Sequence, residues 1–268
     1  MSESNTPGSI PPPDFAKGLP SIDVNEYGGK KDGVKQASNR RLFMQLHVLR
    51  VAIGTEPVSG GPKSAPDAVG GELLSLLRAR KIPGVVYADA TDPRSLGLLT
   101  WSEDPAHFVR TIRPLFTEPP LSHVALRDDY TMFGRTYSTG HEPELEWWLL
   151  RRPVENVVNE ATRWHVWYPL RRKGAFAKLW PIDQSHIMRE HAALGIAYGQ
   201  QDLATDVRLA CYGIDAQDNE FVIGLIGKDL HPLSHLVQAM RKTRQTSEFI
   251  EKMGPFFIGY VIGASHGD

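Results

Sequence analysis

The chain has 268 residues, 41% hydrophobic and 23% charged, and its 30 basic and 31 acidic side chains leave a net charge of -1. This is the composition of a globular protein with room for one large domain or two ordinary ones, and its charge balance gives no footprint for nucleic acid or an anionic membrane surface. The single cysteine, Cys211, excludes an internal disulfide and any multi-cysteine zinc site, so a reducing, cytoplasmic setting is expected.

Residues 1–40 are rich in Gly, Pro, Ser and Asn and are read as a flexible arm. No secretory signal pattern opens the chain and no later run is apolar enough to insert into a membrane. From Arg41, "LFMQLHVLRVAI" has the apolar density of a strand. "EPVSGGPKSAPDAVGG" is loop chemistry, and glycines 54, 60, 61, 70 and 71 form no phosphate-loop pattern. "ELLSLLRARK" reads as a helix, "GVVYADA" and "SLGLLTWS" as strands around the turn "TDPR". "EDPAHFVRTIRPLF" reads as a helix entered through acidic residues and Pro105, and "SHVALRDDYTMF" as a fourth strand. Residues 41–140 thus have the order β-α-β-β-α-β, and residues 141–160, overlapping "EPELEWWLLRRPVENVVNEATR", form a connector.

Residues 161–268 repeat that order. The strand "WHVWYPL" leads to the helix "IDQSHIMREHAALGIAYG", then to strands "DVRLACYGI" and "EFVIGLIG" around the turn "DAQDN". The helix "PLSHLVQAMRKTRQTSEFIEKM" stops at Gly254 and Pro255, and "FFIGYVIG" is the last strand. The expected fold class is α+β: two ferredoxin-like β-α-β-β-α-β units whose sheets form a dimeric α+β barrel.

Within the first helix of this half, Ile187, His191 and Leu194 share one face and His186 points elsewhere. His191 is then either a core histidine bonded to a backbone carbonyl or an axial ligand to a haem iron, which needs only one protein nitrogen on one side. "WYPLRRK" sets Tyr168 beside Arg171, Arg172 and Lys173. This is either a packed aromatic followed by a solvated charge run, or an oxidisable phenol beside cations that can grip carboxylates such as porphyrin propionates. His231 and His235, four apart, lack a third ligand at metal spacing and read as surface histidines.

The runs "WYPLRRKGAFAKLWPIDQSHIMREH", "YGIDAQDNEFVIGLIGKDL", "LVQAMRKTRQTSEF" and "GPFFIG" resemble the C-terminal half of the chlorite dismutase family, nearer its coproheme decarboxylase branch. The first half is similar only in its order of elements. The resemblance implies a haem-binding barrel, usually a homopentamer, acting on a porphyrin substrate (coproheme or haem b iron) with hydrogen peroxide. His191 would ligate the iron and Tyr168 would be the radical-forming residue. Arg171, Arg172 and Ser247 would meet propionates, and Arg208 would stand near the distal side. The implied function is oxidative decarboxylation of coproheme to haem b, against the alternatives of a haem-trafficking protein or a chlorite dismutase. Two departures accompany it: Asp206 stands where chlorite dismutases carry a distal arginine, with Arg208 two residues on, and Gly227 replaces the glutamate that would bond the ligand histidine.

Overall fold

Alternating strand residues with one apolar set on each side can be buried on both faces only if something covers each face, and this chain supplies two different covers. The computed structural model describes residues 19–51 and 66–267. In chain order these form β1 (Glu26–Lys31), β2 (Val34–Ser38), β3 (Phe43–Val51), α1 (Pro66–Ala79), β4 (Gly84–Asp89) and β5 (Ser95–Ser102). A π turn (Phe108–Ile112) leads into the short α2 (Arg113–Leu115), followed by β6 (Val124–Leu126) and β7 (Met132–Thr136). A second π turn (Trp147–Arg151) leads into α3 (Arg152–Val157), then β8 (Trp164–Arg172), α4 (Gly174–Ala177), α5 (Pro181–Gln200), β9 (Thr205–Ala210) and β10 (Phe221–Gly227). Last come α6 (Leu230–Met240), α7 (Arg244–Phe249), β11 (Ile250–Met253) and β12 (Phe257–Ser265).

The first unit orders its strands β7-β3-β5-β4 and the second β12-β8-β10-β9, the same arrangement twice. β12 pairs with β4 and β7 with β9, so these eight antiparallel strands close into a ring. Side chains on one set of alternate positions, including Met44, Leu46, Val48, Tyr87, Leu99, Trp101, Trp167, Val207, Leu209 and Phe257, fill the interior. The outer face of the first sheet is covered by α1 and the 108–115 segment through Leu73, Leu77, Phe108 and Ile112. The outer face of the second is covered by α5 and α6.

Several expectations are revised by this architecture. Residues 26–38, assigned to the arm, form the β1–β2 hairpin, whose Gly29 amide donates to the Glu142 carbonyl at 2.8 Å. Residues 1–18 and glycines 54, 60 and 61 lie outside the described residues. Gly70 and Gly71 are not loop but lie inside α1, whose helix begins at Pro66, as a first-turn proline permits. The long helix drawn through residues 232–253 is interrupted. It breaks between α6 and α7, and its tail becomes β11, which pairs with β8.

Candidate functional site

The register across β8, β10 and β9 sets Tyr168 opposite Ile223 and Ile223 opposite Arg208. The neighbouring row on the same face is Val166, Leu225 and Asp206. This face looks outward, toward α5, because the intervening residues Trp167, Val222, Ile226, Val207 and Leu209 fill the barrel.

The apolar packing under α5 is broken in two. Leu194 and Tyr198 pack with Val166, Tyr168 and Leu225, and with Leu233 and Leu236 of α6, whereas Ile187 and Met188 pack separately with Phe176 and Phe249. His191 sits one turn from each group, at the break. Its Nδ1 is buried with no hydrogen-bond partner. Burial lowers its pKa and Arg208 lowers it further, against smaller opposing contributions from Asp206 and Glu190, so the imidazole is held neutral. His186 is exposed, as its position on the helix predicts.

Tyr168 is 6% exposed and stacks on Phe256 with ring centroids 4.7 Å apart. Burial, reinforced by Asp206, raises its pKa, while Arg241 opposes the shift. The phenol is therefore neutral over the physiological range.

A charged group stands on β9, on the face of the sheet that α5 covers. Arg208 Nε is 3.2 Å from the Asp206 carboxylate, and Arg152 Nη2 donates to the other oxygen of Asp206 at 2.7 Å. Both guanidinium groups lie over the Trp148 ring, at 4.4 Å for Arg152 and 5.0 Å for Arg208. Burial works against ionisation of Asp206, yet Arg208 and Arg152 outweigh it and its pKa is lowered. Arg152 and Trp148 come from the segment read only as a connector. The dense "EWWLLRRP" was the available signal, since aromatic rings beside arginines are disposed to stack.

The remaining candidates are dispersed. Arg172 donates to Glu220 and to the Tyr212 hydroxyl, both at 3.1 Å, and its guanidinium lies over Phe176 and Phe221 at the end of the face that carries Tyr168. Tyr137 packs on the same Phe221 at 5.6 Å, adding a second phenol that sequence reasoning did not single out. Arg171 is engaged elsewhere, with the carbonyls of Asp218 and Gln217 at 2.8 and 2.6 Å. Ser247 is exposed on α7 and donates to the Thr243 carbonyl of its own segment at 2.9 Å. A side chain at Gly227 has no room: its Cβ would lie 2.9 Å from Leu233 Cδ2 and 3.0 Å from the Leu203 carbonyl. His235 pairs with the Tyr198 hydroxyl, and no cluster of three or more His, Cys, Asp or Glu suited to a metal ion occurs among the described residues. No described helix is long and apolar enough to cross a membrane.

Residues 151–262 match the chlorite dismutase family model. No curated protein matches the chain by sequence. Among solved structures, a candidate chlorite dismutase superposes with a TM-score of 0.68 at 14% identity, covering 83% of this chain and 95% of its own. A haem-binding protein from Thermus thermophilus gives 0.64 at 14% identity, covering 83% and 91%. The chlorite dismutase from Candidatus Nitrospira defluvii, solved with imidazole, gives 0.63 at 13% identity, covering 84% and 92%. Residues 151–262 are therefore similar in sequence to the chlorite dismutase family, and the described chain shares the α+β fold of these solved structures.

Proposed function

We propose that the protein is a haem-dependent oxidoreductase, with His191 holding the iron and peroxide-dependent decarboxylation of coproheme to haem b as its reaction. The observation that carries this reading is the neutral imidazole of His191 at the break in the packing under α5, with its Nδ1 buried and without a hydrogen-bond partner. A ligand histidine must be neutral, and a buried polar atom with no partner costs about 1–3 kcal/mol unless something takes it up. The residues present therefore fit an iron porphyrin: one imidazole, apolar groups on either side, and cations at the edge.

The bound group would supply the oxidising chemistry and the propionate to be lost, with overall conversion of one propionic acid and one hydrogen peroxide to a vinyl group, carbon dioxide and two waters. Tyr168 keeps a neutral O–H inside an apolar stack, so an electron and the Oη proton leave it together rather than the proton alone. Arg172, on the same strand and face, is the first cation a carboxylate would meet there. Arg171 and Ser247 join only by exchanging their present carbonyl partners. The homopentamer and the cytoplasmic setting belong to this same reading.

A non-catalytic haem-trafficking role is the second reading. It is favoured by Gly227, which offers no carboxylate where the resemblance expects a glutamate to make the ligand imidazole a strong electron donor. Chlorite dismutation depends on Arg208, whose charge is already matched by Asp206. Titration with coproheme and with haem b, followed by peroxide and mass spectrometry of the porphyrin, tests the set. Stepwise loss of carbon dioxide from bound coproheme is expected. Tight binding with unchanged porphyrin replaces the enzyme with the carrier, and no binding of either porphyrin removes both.

A further inference from the structure

Oxidisable rings continue from the site into the barrel. His165 and Trp167 alternate with Val166 and Tyr168 along β8, so the first two point inward while Tyr168 faces α5. Tyr87 of β4 reaches the same interior, and its hydroxyl meets His165 Nδ1 at 2.9 Å. The two residues come from different units, and β12 runs between their strands. The β12 residue paired with His165 is Gly259, where a Cβ would lie 2.8 Å from the Tyr87 ring, so the glycine is what lets the phenol cross over. Trp167 pairs with Phe257 across β8 and β12, and Tyr87 stands edge-on to Phe257 with ring centroids 5.8 Å apart. Tyr87, Trp167 and Phe257 are wholly buried.

What distinguishes this phenol is a base. His165 Nε2 can only donate to the Thr162 carbonyl, at 3.0 Å, so Nδ1 keeps a lone pair aimed at the Tyr87 O–H. The Tyr168 hydroxyl has no hydrogen-bond partner among the described residues. A phenol that loses an electron becomes a strong acid, and the charge is costly to bury unless the proton has a lone pair to move to. An oxidised Tyr168 is therefore reduced by Tyr87 rather than the reverse.

We propose that Tyr87 and His165 form a redox-active pair that relieves Tyr168 of an oxidising equivalent when peroxide is consumed with no propionate left to decarboxylate. Tyr87 gives one electron across Trp167 to the Tyr168 phenoxyl, which takes back the proton it had passed to the porphyrin site. The Tyr87 O–H bond breaks and an N–H bond forms on His165 Nδ1. Tyr168 is restored as a phenol, Tyr87 is left as a neutral phenoxyl and His165 as an imidazolium. The oxidant is hydrogen peroxide acting through the bound iron porphyrin, so this assignment rests on the haem reading above. It goes beyond that reading by placing a second oxidisable phenol inside the barrel, on the far side of β8 from the porphyrin.

Protein loaded with haem b has no propionate left to convert. Peroxide added to it, followed by freeze-quenching and high-field electron paramagnetic resonance, is expected to show a phenoxyl whose gx is lowered by a charged hydrogen-bond partner. The signal should be lost in Tyr87→Phe. His165→Gln keeps an acceptor for the hydroxyl but takes no proton, and it should lose the same signal with haem b uptake unchanged. A purely structural pair would lower the urea midpoint of these variants and leave the signal in place, which overturns the proposal. If neither variant takes up haem b, the signal is read in Tyr198→Phe and Tyr212→Phe, whose hydroxyls meet His235 and Arg172. Survival in both supports Tyr87, and loss in either moves the radical there and overturns the assignment. Failure of the wild-type protein to take up haem b overturns the haem reading and this one together, while normal uptake without a phenoxyl of that signature overturns only this one.

Discussion

His191 and His186 lie on the same helix and differ in direction, which makes them a controlled pair. His191→Ala is expected to abolish the Soret shift on titration with iron porphyrin while leaving the far-ultraviolet dichroism intact, and His186→Ala to change neither. Tyr168→Phe keeps the stack on Phe256 and removes only the O–H. Coproheme affinity should be retained and conversion to haem b by peroxide should fall by about a hundredfold or more, measured by mass spectrometry of the porphyrin. If Arg208 faces the bound iron, Arg208→Ala should weaken fluoride binding by about 1.5–3 kcal/mol, the usual range for a charge-assisted hydrogen bond. The direction of His191 was legible because a 3.6-residue period needs no tertiary knowledge. The ion pair between Asp206 and Arg208 was visible only as a shared strand face, and Arg152 not at all, because nothing local says that a connector folds back on β9.

Single elements show where local pattern stops being enough. No proline or glycine interrupts the sequence from Leu233 to Met253, across the break between α6 and α7, so sequence alone draws one helix. The break is tertiary: Thr243 takes an extended conformation, its hydroxyl donates to the Met240 carbonyl at 2.8 Å, and the Arg244 amide donates to Glu190 of α5 at 3.0 Å. The end of the run is then captured by β8 as β11. β10 carries the opposite case, a residue whose smallness matters more than its propensity. A Cβ at Gly224 would lie 2.6 Å from the Trp167 ring inside the barrel. Gly224→Ala should therefore cost about 1–3 kcal/mol through overpacking, read as a lowered urea midpoint with unchanged slope. The site-bearing face would be displaced with it, since Ile223 and Leu225 flank Gly224 on the same strand.

Across the whole molecule, two buried histidines set the acid limit of stability. Burial lowers both His47 and His165 to about 4. His165 Nε2 meets the Thr162 carbonyl at 3.0 Å and must donate to it, so Nδ1 accepts from the Tyr87 hydroxyl at 2.9 Å. His47 packs edge-on to Phe116 with its Nδ1 unpartnered. An unfolded histidine titrates near 6.5, so between pH 6.5 and 4 the unfolded chain binds more protons. The stability contributed by each neutral ring is full above pH 6.5 and is lost as pH falls toward 4, by up to about 3 kcal/mol per histidine. Urea midpoints between pH 7.5 and 4.5 should fall steeply, and His47→Leu should flatten the curve by up to about 3 kcal/mol, the share of that one histidine. The β-α-β-β-α-β order was legible in both halves because strands and helices alternate with clear turn signals. The closure was not, since it depends on which strands end up at the edges of each sheet.

That closure has a consequence for how the molecule could be taken apart. The two junctions are unequal: β12 and β4 are joined over six residue pairs and β7 and β9 over two. Cutting out residues 161–268, which hold every candidate residue except Tyr137, Trp148 and Arg152, would leave β12 and β9 with bare backbone donors and acceptors, and would uncover the apolar interior around Trp167. An exposed edge of this kind recruits another strand. The excised half should therefore not persist as a monomer in light scattering, and two copies joined β12 to β9 would rebuild a ring from one kind of sheet. A well-folded monomeric fragment would contradict this. The first half would then act as an intramolecular chaperone, occupying both open edges so that no other strand can.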